Sequence, residues 1–502
     1  MARDISATAG GNVEQFDVEA VHAPGKRELY APRIKIHPKR ASGWFRRLKW
    51  IIMAVTLGIY YLTPWLRWDR GAYAPDQAVL VDIAHRRFYF FFIEIWPQEF
   101  YYIAGLLIMA GIGLFLITSV AGRAWCGYTC PQTVWTDLFL VVERWVEGDR
   151  NARIKLDAAP WSLDKLSKRV VKNILWLIIA IATGGAWIFY FADAPTLARE
   201  FLTLSAPAVA YITVGILTAT TFVFAGYMRE QVCIYMCPWP RIQAAMLDED
   251  SLVVTYNDWR GEPRAAHRKK LEAEGAKVGD CVDCKACVAV CPMGIDIRDG
   301  QQLACITCAL CIDACDAVMD KIGKPEGLIS YSNLHTYNAR KAGKPAKLDW
   351  RMIVRPRTVI YSALLATIGA VMLGVLLMRE RLDINVIPDR NPLFVTLTDG
   401  SIRNGYTIRL LNMSLQPRIF SLGIEGLPNA VMALAESTSP PGRTAQVVVE
   451  ADKARSVKIY VTAPPADLQG ESTEFVFTVT AQDVGRPAET SLYRAVFRAP
   501  PR

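Results

Sequence analysis

Five long apolar stretches set the limits on how this chain of 502 residues can fold. Each is about 20 residues long, which is the length that a helix needs to cross the hydrocarbon core of a bilayer. A buried helix of a soluble protein could explain one such stretch, but not five. The sequence therefore predicts a polytopic α-helical membrane domain, with spans near residues 49–66, 98–120, 172–192, 206–228 and 358–378.

The placement of lysine and arginine predicts the orientation of these spans. Basic side chains crowd the N-terminal tail, residues 121–171 and residues 229–357, whereas the connection at 193–205 carries only Arg199. Because loops rich in Lys and Arg stay on the cytoplasmic side, we expect a cytoplasmic N-terminus. Five spans then place the C-terminus outside. The same bias explains the net charge of +9, so we expect no nucleic-acid partner.

Residues 281 to 315 contain one cysteine pattern twice. The pattern is Cys-x-x-Cys-x-x-Cys-x-x-x-Cys, which is typical of ferredoxins with two 4Fe–4S clusters, where the last cysteine of each run binds the other cluster. The alternatives are a zinc site, which needs only four ligands, and disulfides, which are unfavourable on the reducing side of a membrane. We predict that one cluster is bound by Cys281, Cys284, Cys287 and Cys315, and the other by Cys305, Cys308, Cys311 and Cys291.

The other four of the 12 cysteines form two copies of a Cys-x-x-x-Cys-Pro motif, each at the end of an apolar hairpin. The pairs are Cys126 with Cys130, and Cys233 with Cys237. We expect each pair to share one helical face, Arg123 and Arg229 to favour thiolates, and the proline to mark a helix boundary. Four converging thiolates would suit Cu(I), zinc or an iron–sulfur centre. The alternative is that these small residues only pack the ends of the spans.

The predicted fold class is mixed, with an all-β part at the C-terminus. After the last span the apolar residues alternate in short runs separated by Gly and Pro turns, which indicates about seven strands and an immunoglobulin-like sandwich. The predicted order is a flexible, basic cytoplasmic tail at 1–48, a four-helix membrane region at 49–238, a dicluster ferredoxin-like domain at 239–357, a fifth membrane helix at 358–380 and the immunoglobulin-like domain at 385–502.

This order of parts resembles the cytochrome c oxidase accessory proteins called CcoG, FixG or RdxA. The resemblance covers nearly the whole chain, from the basic tail to the C-terminal sandwich. It implies a multi-pass protein of the bacterial inner membrane whose C-terminal domain is periplasmic. It also implies a cupric reductase that supplies Cu(I) for assembly of a cbb-type haem–copper oxidase. The residues that would then form the catalytic, copper-binding site are Cys126, Cys130, Cys233 and Cys237.

Two other functions stay open from the sequence. The chain could be the electron-transfer subunit of a quinol dehydrogenase, in which Glu94 and Glu99 near the second span would relay protons. It could also be a scaffold whose clusters are structural. For the copper function, the expected partners are membrane lipid, copper chaperones, oxidase assembly factors and an electron donor that the sequence does not name.

Overall fold

The computed structural model describes residues 13–22, 34–71, 74–265, 275, 278–346, 353–378, 382–414, 416–436, 440–451, 453–482 and 489–501. The chain divides into two compact units. The first consists of Met1–Leu66 with Gln77–Met372, and the second of Arg67–Asp76 with Leu373–Arg502. The membrane helices and the dicluster region belong to the same unit, whereas the C-terminal strands form the other.

Helices dominate the first unit. The first eight are α1 Trp44–Leu62, α2 Tyr101–Ala121, α3 Ala124–Tyr128, α4 Pro131–Glu147, α5 Arg150–Ala158, α6 Leu163–Ile188, α7 Ala194–Leu202 and α8 Ala208–Thr221. Two π-helices follow, π1 Phe222–Met228 and π2 Val232–Met236. The remaining helices are α9 Trp239–Met246, α10 Asp258–Gly261, α11 Ala286–Ala289, α12 Leu310–Lys321, α13 Leu334–Lys341 and α14 Pro356–Leu377.

Four of the five predicted spans are helices long and apolar enough to cross a membrane. Among the described residues these are Pro97–Ala121, Leu163–Ile188, Ala208–Met228 and Pro356–Leu377. The first predicted span lies on α1, which is not one of the four and carries Arg46, Arg47 and Lys49 near its start. Farther along, α1 exposes Ile51, Val55 and Ile59, one helical turn apart. This exposed stripe is apolar, as expected for a helix that contacts lipid.

The basic stretch at 121–171 contains α3, α4, α5 and the start of α6. Helix α4 buries Asp137 and Glu143 on its inner face. Glu143, which is 0% exposed, pairs with Arg153 at 3.0 Å and with Arg229 at 2.9 Å. These charges form ion pairs inside the unit, whereas a pattern of charges alone indicates a solvated surface.

The dicluster region consists of short elements around the cysteine runs. Strand β4 Val253–Tyr256 pairs antiparallel with strand β5 Ile329–Ser332. Helices α11 and α12 each begin after a residue with positive φ, Lys285 and Ala309. These two residues occupy the same position in the two cysteine runs, so the backbone turns in the same way around both.

The tail predicted to be flexible packs against this region wherever the structure describes it. The Phe16 amide donates to the Cys284 carbonyl at 3.0 Å, and the Lys39 amide donates to the Ala289 carbonyl at 2.8 Å. Val13 and Phe16 are buried there. The prediction was wrong for residues 13–22 and 34–43, because a few apolar side chains suffice to dock a largely polar segment. The rest of 1–43 lies outside the described residues.

The loop before the second span holds a small antiparallel sheet. Its strands are β1 Val79–Asp82, β2 Arg87–Phe90 and β3 Ile93–Ile95. Tyr89 on β2 is 2% exposed, so this aromatic side chain packs inside the protein.

The second unit is a β-sandwich, as predicted for the C-terminal domain. Its strands are β6 Leu382–Pro388, β7 Val395–Thr396, β8 Ile402–Asn412, β9 Arg418–Glu425, β10 Val431–Leu434, β11 Thr444–Val449, β12 Lys453–Ala463, β13 Ser472–Gln482 and β14 Glu489–Arg498. One sheet has the order β10-β12-β8-β6 with β7 on β8, and the other has the order β11-β9-β13-β14. Both are antiparallel, and Ile408, Phe420 and Phe477 of the shared core are fully buried.

We expect the substitution Phe477→Ala to destabilise the sandwich by about 3–5 kcal/mol, because it removes a fully buried ring and leaves a cavity. The measurement is urea-dependent proteolysis of the full-length protein, followed through fragments of the C-terminal unit. The matched control is Leu492→Ala on β14, whose side chain is 63% exposed. Equal effects of the two substitutions would contradict the position of Phe477 in the core.

Candidate functional site

One small cavity lies among the cysteine runs of the dicluster region. Its cysteines are Cys281, Cys284, Cys287 and Cys315. The first three come from one loop and the first turn of α11, and the fourth comes from α12. This is the set of four thiols that the spacing assigned to one cluster, now placed around a single cavity. The ligand assignment itself stays a prediction.

A second small cavity lies beside the first. Its cysteines are Cys291, Cys305, Cys308 and Cys311, together with Cys287, which lines both cavities. Cys291 belongs to the first run in sequence but faces the cavity of the second, as the crossed ligand pattern requires. The shared wall at Cys287 shows that the two cavities are immediate neighbours.

The burial of these thiols fits a bound iron–sulfur cluster better than free cysteines. Burial raises the pKa of Cys305 to about 11 and that of Cys291 to about 12. It also raises the pKa of Cys287 and Cys311 well above the ordinary value. A thiolate in such a cavity needs compensating positive charge, which iron supplies. The two cavities therefore suit two 4Fe–4S clusters in both donor set and electrostatics.

The two Cys-x-x-x-Cys-Pro motifs break their helices at the same place. Cys126 lies on α3, whereas Cys130 follows its end with ψ 129°. Cys233 lies on π2, whereas Cys237 follows its end with ψ 122°. The expectation of a shared helical face was wrong, because proline forces the residue before it into an extended conformation. The prediction that proline marks a helix boundary is confirmed in both motifs.

The two motifs nevertheless bring their thiols together. Cys233 interacts electrostatically with all three others, and Cys126 does so with Cys130 and Cys237. Among the described residues, no three side chains of His, Cys, Asp or Glu are close enough to hold a single metal ion. The four motif cysteines thus form a loose group, which we call the motif thiols.

Arg123 favours the thiolate form of Cys126 and Cys233, as expected, but burial outweighs it, and the effect expected of Arg229 was wrong. Burial raises the pKa of Cys126 to about 11 and that of Cys233 to about 12, and this outweighs the opposing influence of Arg123. The Arg229 guanidinium pairs with Glu143 and donates to the Gly226 carbonyl at 2.8 Å. Its charge is therefore used to hold the second motif against α4 and not to stabilise a thiolate.

The first motif lies directly against the loop of the second cluster cavity. A Cβ added at Gly127 would be 2.6 Å from the Ile306 carbonyl oxygen and 3.0 Å from the Cys308 Cα. Tyr128 donates to the Cys308 carbonyl at 3.3 Å, and Arg123 donates to the Leu303 carbonyl. The first motif therefore lies beside the loop that lines the second cavity, and the two backbones approach each other closely at Gly127.

Sequence reasoning missed the residues that make this junction. Besides Gly127 and Tyr128, the fully buried Gln243 of α9 accepts from the Cys126 thiol at 3.0 Å and donates to Thr118 at 3.1 Å. A glycine between the two cysteines of the first motif was the one available signal. The other contacts join residues more than 100 positions apart, so no local pattern could indicate them.

Comparisons with known proteins agree with this geometry. The family described as a 4Fe-4S dicluster domain matches residues 228–334, and a 4Fe-4S binding domain matches residues 103–148, which include the first motif. The family described as the IG-like fold at the C-terminus of FixG matches residues 372–500.

The chain is also similar over most of its length to three curated proteins. It is 60% identical to the nitrogen fixation protein FixG of Rhizobium meliloti, with 97% of each chain covered. It is 56% identical to protein RdxA of Cereibacter sphaeroides, over 91% of this chain and 96% of the relative. Protein RdxB of the same organism is 59% identical, over 87% of this chain and 90% of the relative.

Cysteine-lined cavities joined to apolar membrane helices define a class of protein, the membrane-bound iron–sulfur proteins that transfer electrons. Clusters of this kind exchange electrons one at a time, and the 4Fe–4S domains in this chain assign that role to it. The high sequence identity to the three relatives, over most of the chain, also shows the family of this protein. The chain belongs to the FixG/RdxA family.

The crossed ligand pattern makes a prediction for single substitutions. We expect Cys291→Ser to abolish the same electron paramagnetic resonance signal as Cys305→Ser, because both thiols line the second cavity. We expect Cys315→Ser and Cys281→Ser to abolish the other signal. Each variant should lose about half of the cluster iron. If Cys291→Ser instead abolishes the same signal as Cys281→Ser, the four cysteines of one run bind one cluster, and the crossed ligand pattern is contradicted.

The junction at Gly127 predicts a selective effect of a single methyl group. We expect Gly127→Ala to disturb the second cluster and leave the first intact, because the new Cβ would collide with backbone that cannot move freely. The measurement is the spectrum and midpoint potential of each cluster. The control is Gly185→Ala, since a Cβ there meets nothing within 4 Å. An unchanged second cluster in the Gly127 variant would contradict the close contact.

Proposed function

We propose that this protein is a cupric reductase that delivers single electrons from its clusters to copper bound at the motif thiols. The observation that carries the proposal is the packing of Gly127 against Cys308, which puts the first of the two motifs beside the loop of the second cluster cavity. A redox-active substrate held there would be the nearest acceptor for an electron that leaves the second cavity. A group that only packed helix ends would not need to lie there.

The chemistry of the motif thiols favours copper. Thiolates are soft ligands that prefer Cu(I) to harder ions, so they favour the reduced product over Cu(II). One electron converts one Cu(II) to Cu(I), and a reduced 4Fe–4S cluster supplies electrons singly. Copper is the substrate in this proposal and not a resident cofactor. Since the thiols form a loose group, copper either uses two of them or draws the two motifs together.

The proposal also covers the use of the reduced copper and the orientation of the protein in the membrane. The basic tail and the basic stretches at 121–171 and 229–357 support a cytoplasmic dicluster region in the bacterial inner membrane, with the sandwich in the periplasm. Cu(I) made there would pass to copper chaperones and assembly factors of a cbb-type haem–copper oxidase. A separate sandwich unit supports a partner on the outer side.

The quinol dehydrogenase alternative gains no support from the candidate proton relay. Glu94 pairs with Arg87 at 3.4 Å, and the Glu99 carboxylate accepts from the Trp96 amide at 3.1 Å. Both carboxylates therefore have local structural contacts. Electron transfer through the clusters is common to both functions, so the acceptor is what distinguishes them.

The test of the proposal follows reoxidation of the clusters. We expect purified, chemically reduced protein to be reoxidised rapidly by Cu(II) and slowly by a soluble quinone analogue. We expect the variant with all four motif cysteines changed to serine to react with Cu(II) at least tenfold more slowly. The measurement is stopped-flow absorbance of the clusters, with a Cu(I) chelator to count the product.

The iron content of the same variant is the control. Unchanged iron with slow copper reduction supports the motif thiols as the copper site. Lost iron would instead assign a third cluster to them, in keeping with the 4Fe-4S binding domain matched at 103–148. Rapid reoxidation by quinone and none by Cu(II) would overturn the copper function and favour the quinol alternative.

A further inference from the structure

The second unit contains a groove of about 330 Å³ that no part of the electron-transfer function uses. It lies at the open side of the sandwich, where β6, the edge strand of one sheet, approaches β14, the edge strand of the other. Its floor includes Tyr406, whose hydroxyl donates to the Val496 carbonyl at 2.8 Å. Since that carbonyl belongs to β14, the backbone edge of β14 faces the groove.

A buried hydrogen-bond acceptor in this groove has no partner among the described residues. Asn404 is 3% exposed, and its side-chain amide lies 3.5 Å from the Tyr406 hydroxyl, to which it donates. Its Oδ1 accepts no hydrogen bond within the described part of the chain. A buried polar atom without a partner costs about 1–3 kcal/mol, so such atoms mark places where a ligand or water completes the bonding. What Asn404 Oδ1 needs is an N–H or O–H donor.

The rim of the groove is positively charged. Arg390 follows β6, and Arg494 and Arg498 project from β14, so three arginines face one carboxylate, that of Asp389. Asp389 is already paired with Lys458. None of the three arginines has an ion pair with another described residue, and all three are exposed. Guanidinium groups arranged in this way recognise carboxylates or phosphates.

We propose that this groove binds an extended, acidic peptide segment of a partner protein. A peptide carries both groups that the groove needs, a backbone N–H for Asn404 Oδ1 and carboxylates for the arginines. It can also pair along the open edge of β14, as peptides do on exposed sheet edges. A phospholipid headgroup such as that of phosphatidylglycerol supplies negative charge and hydroxyl donors, but it has no extended backbone that could pair along β14. The proposal does not depend on copper reduction.

The test uses the full-length protein in detergent and a capped, fluorescent peptide that alternates glutamate and threonine. The matched peptide has glutamine in place of glutamate. We expect the glutamate peptide to bind, and the binding to weaken with added salt, because charges at an exposed rim are screened. We expect the double variant R494Q/R498Q and the single variant Asn404→Leu each to lower the affinity at least tenfold, as measured by fluorescence anisotropy.

The control is the double variant R409Q/R455Q, which removes the same charge from exposed positions on β8 and β12 outside the groove. Urea-dependent proteolysis checks that Asn404→Leu leaves the sandwich folded, and R494Q/R498Q changes only exposed side chains. The proposal is overturned if the glutamate peptide does not bind or the glutamine peptide binds equally well. It is also overturned if the control variant weakens peptide binding as much as R494Q/R498Q does. A last contradicting result is that the groove arginines are needed for binding of short-chain phosphatidylglycerol but not for binding of the peptide.

Discussion

The contact between the first Cys-x-x-x-Cys-Pro motif and the second cysteine run is the constraint on which the site depends. Gly127 leaves no space for a side chain between α3 and the backbone at Ile306 and Cys308. Because interiors are close-packed and transmit strain, a contact between two backbones fixes relative position far better than one between flexible side chains. This contact joins the first motif to the dicluster region within one compact unit.

A buried ion pair connects the two halves of the duplicated hairpin. Glu143 lies near the end of α4, the helix that follows the first motif. It pairs with Arg229, which precedes the second motif. Arg229 has φ 44°, a strained conformation that its contacts with Glu143 and Gly226 maintain. Removing one partner of a fully buried pair costs about 3–5 kcal/mol, since it leaves an uncompensated charge. The position of the second motif relative to α4 thus depends on a buried ion pair in which none of the motif thiols takes part.

Prediction from sequence succeeded where a local pattern has a single structural meaning. Apolar length predicted five spanning helices, and four of them are long and apolar enough among the described residues. Alternation indicated the sandwich, and cysteine spacing indicated two sets of thiols that the fold places around two cavities. It failed where long-range contacts decide. The polar tail docks through Val13 and Phe16, the basic stretch at 121–171 buries Glu143 and Asp137 in ion pairs, and Arg229 serves a carboxylate and not a thiol.

The sequence by itself determined that this protein binds iron–sulfur clusters and has apolar helices of membrane-spanning length, because ligand spacing and apolar length are local properties of the chain. Only the tertiary structure decided which cluster cavity lies beside the motif thiols. It also decided that proline takes Cys130 and Cys237 off their helices, and that a charged groove opens between β6 and β14. These features arise between elements far apart in sequence, where packing and burial of charge, and not local preference, set the lowest free energy.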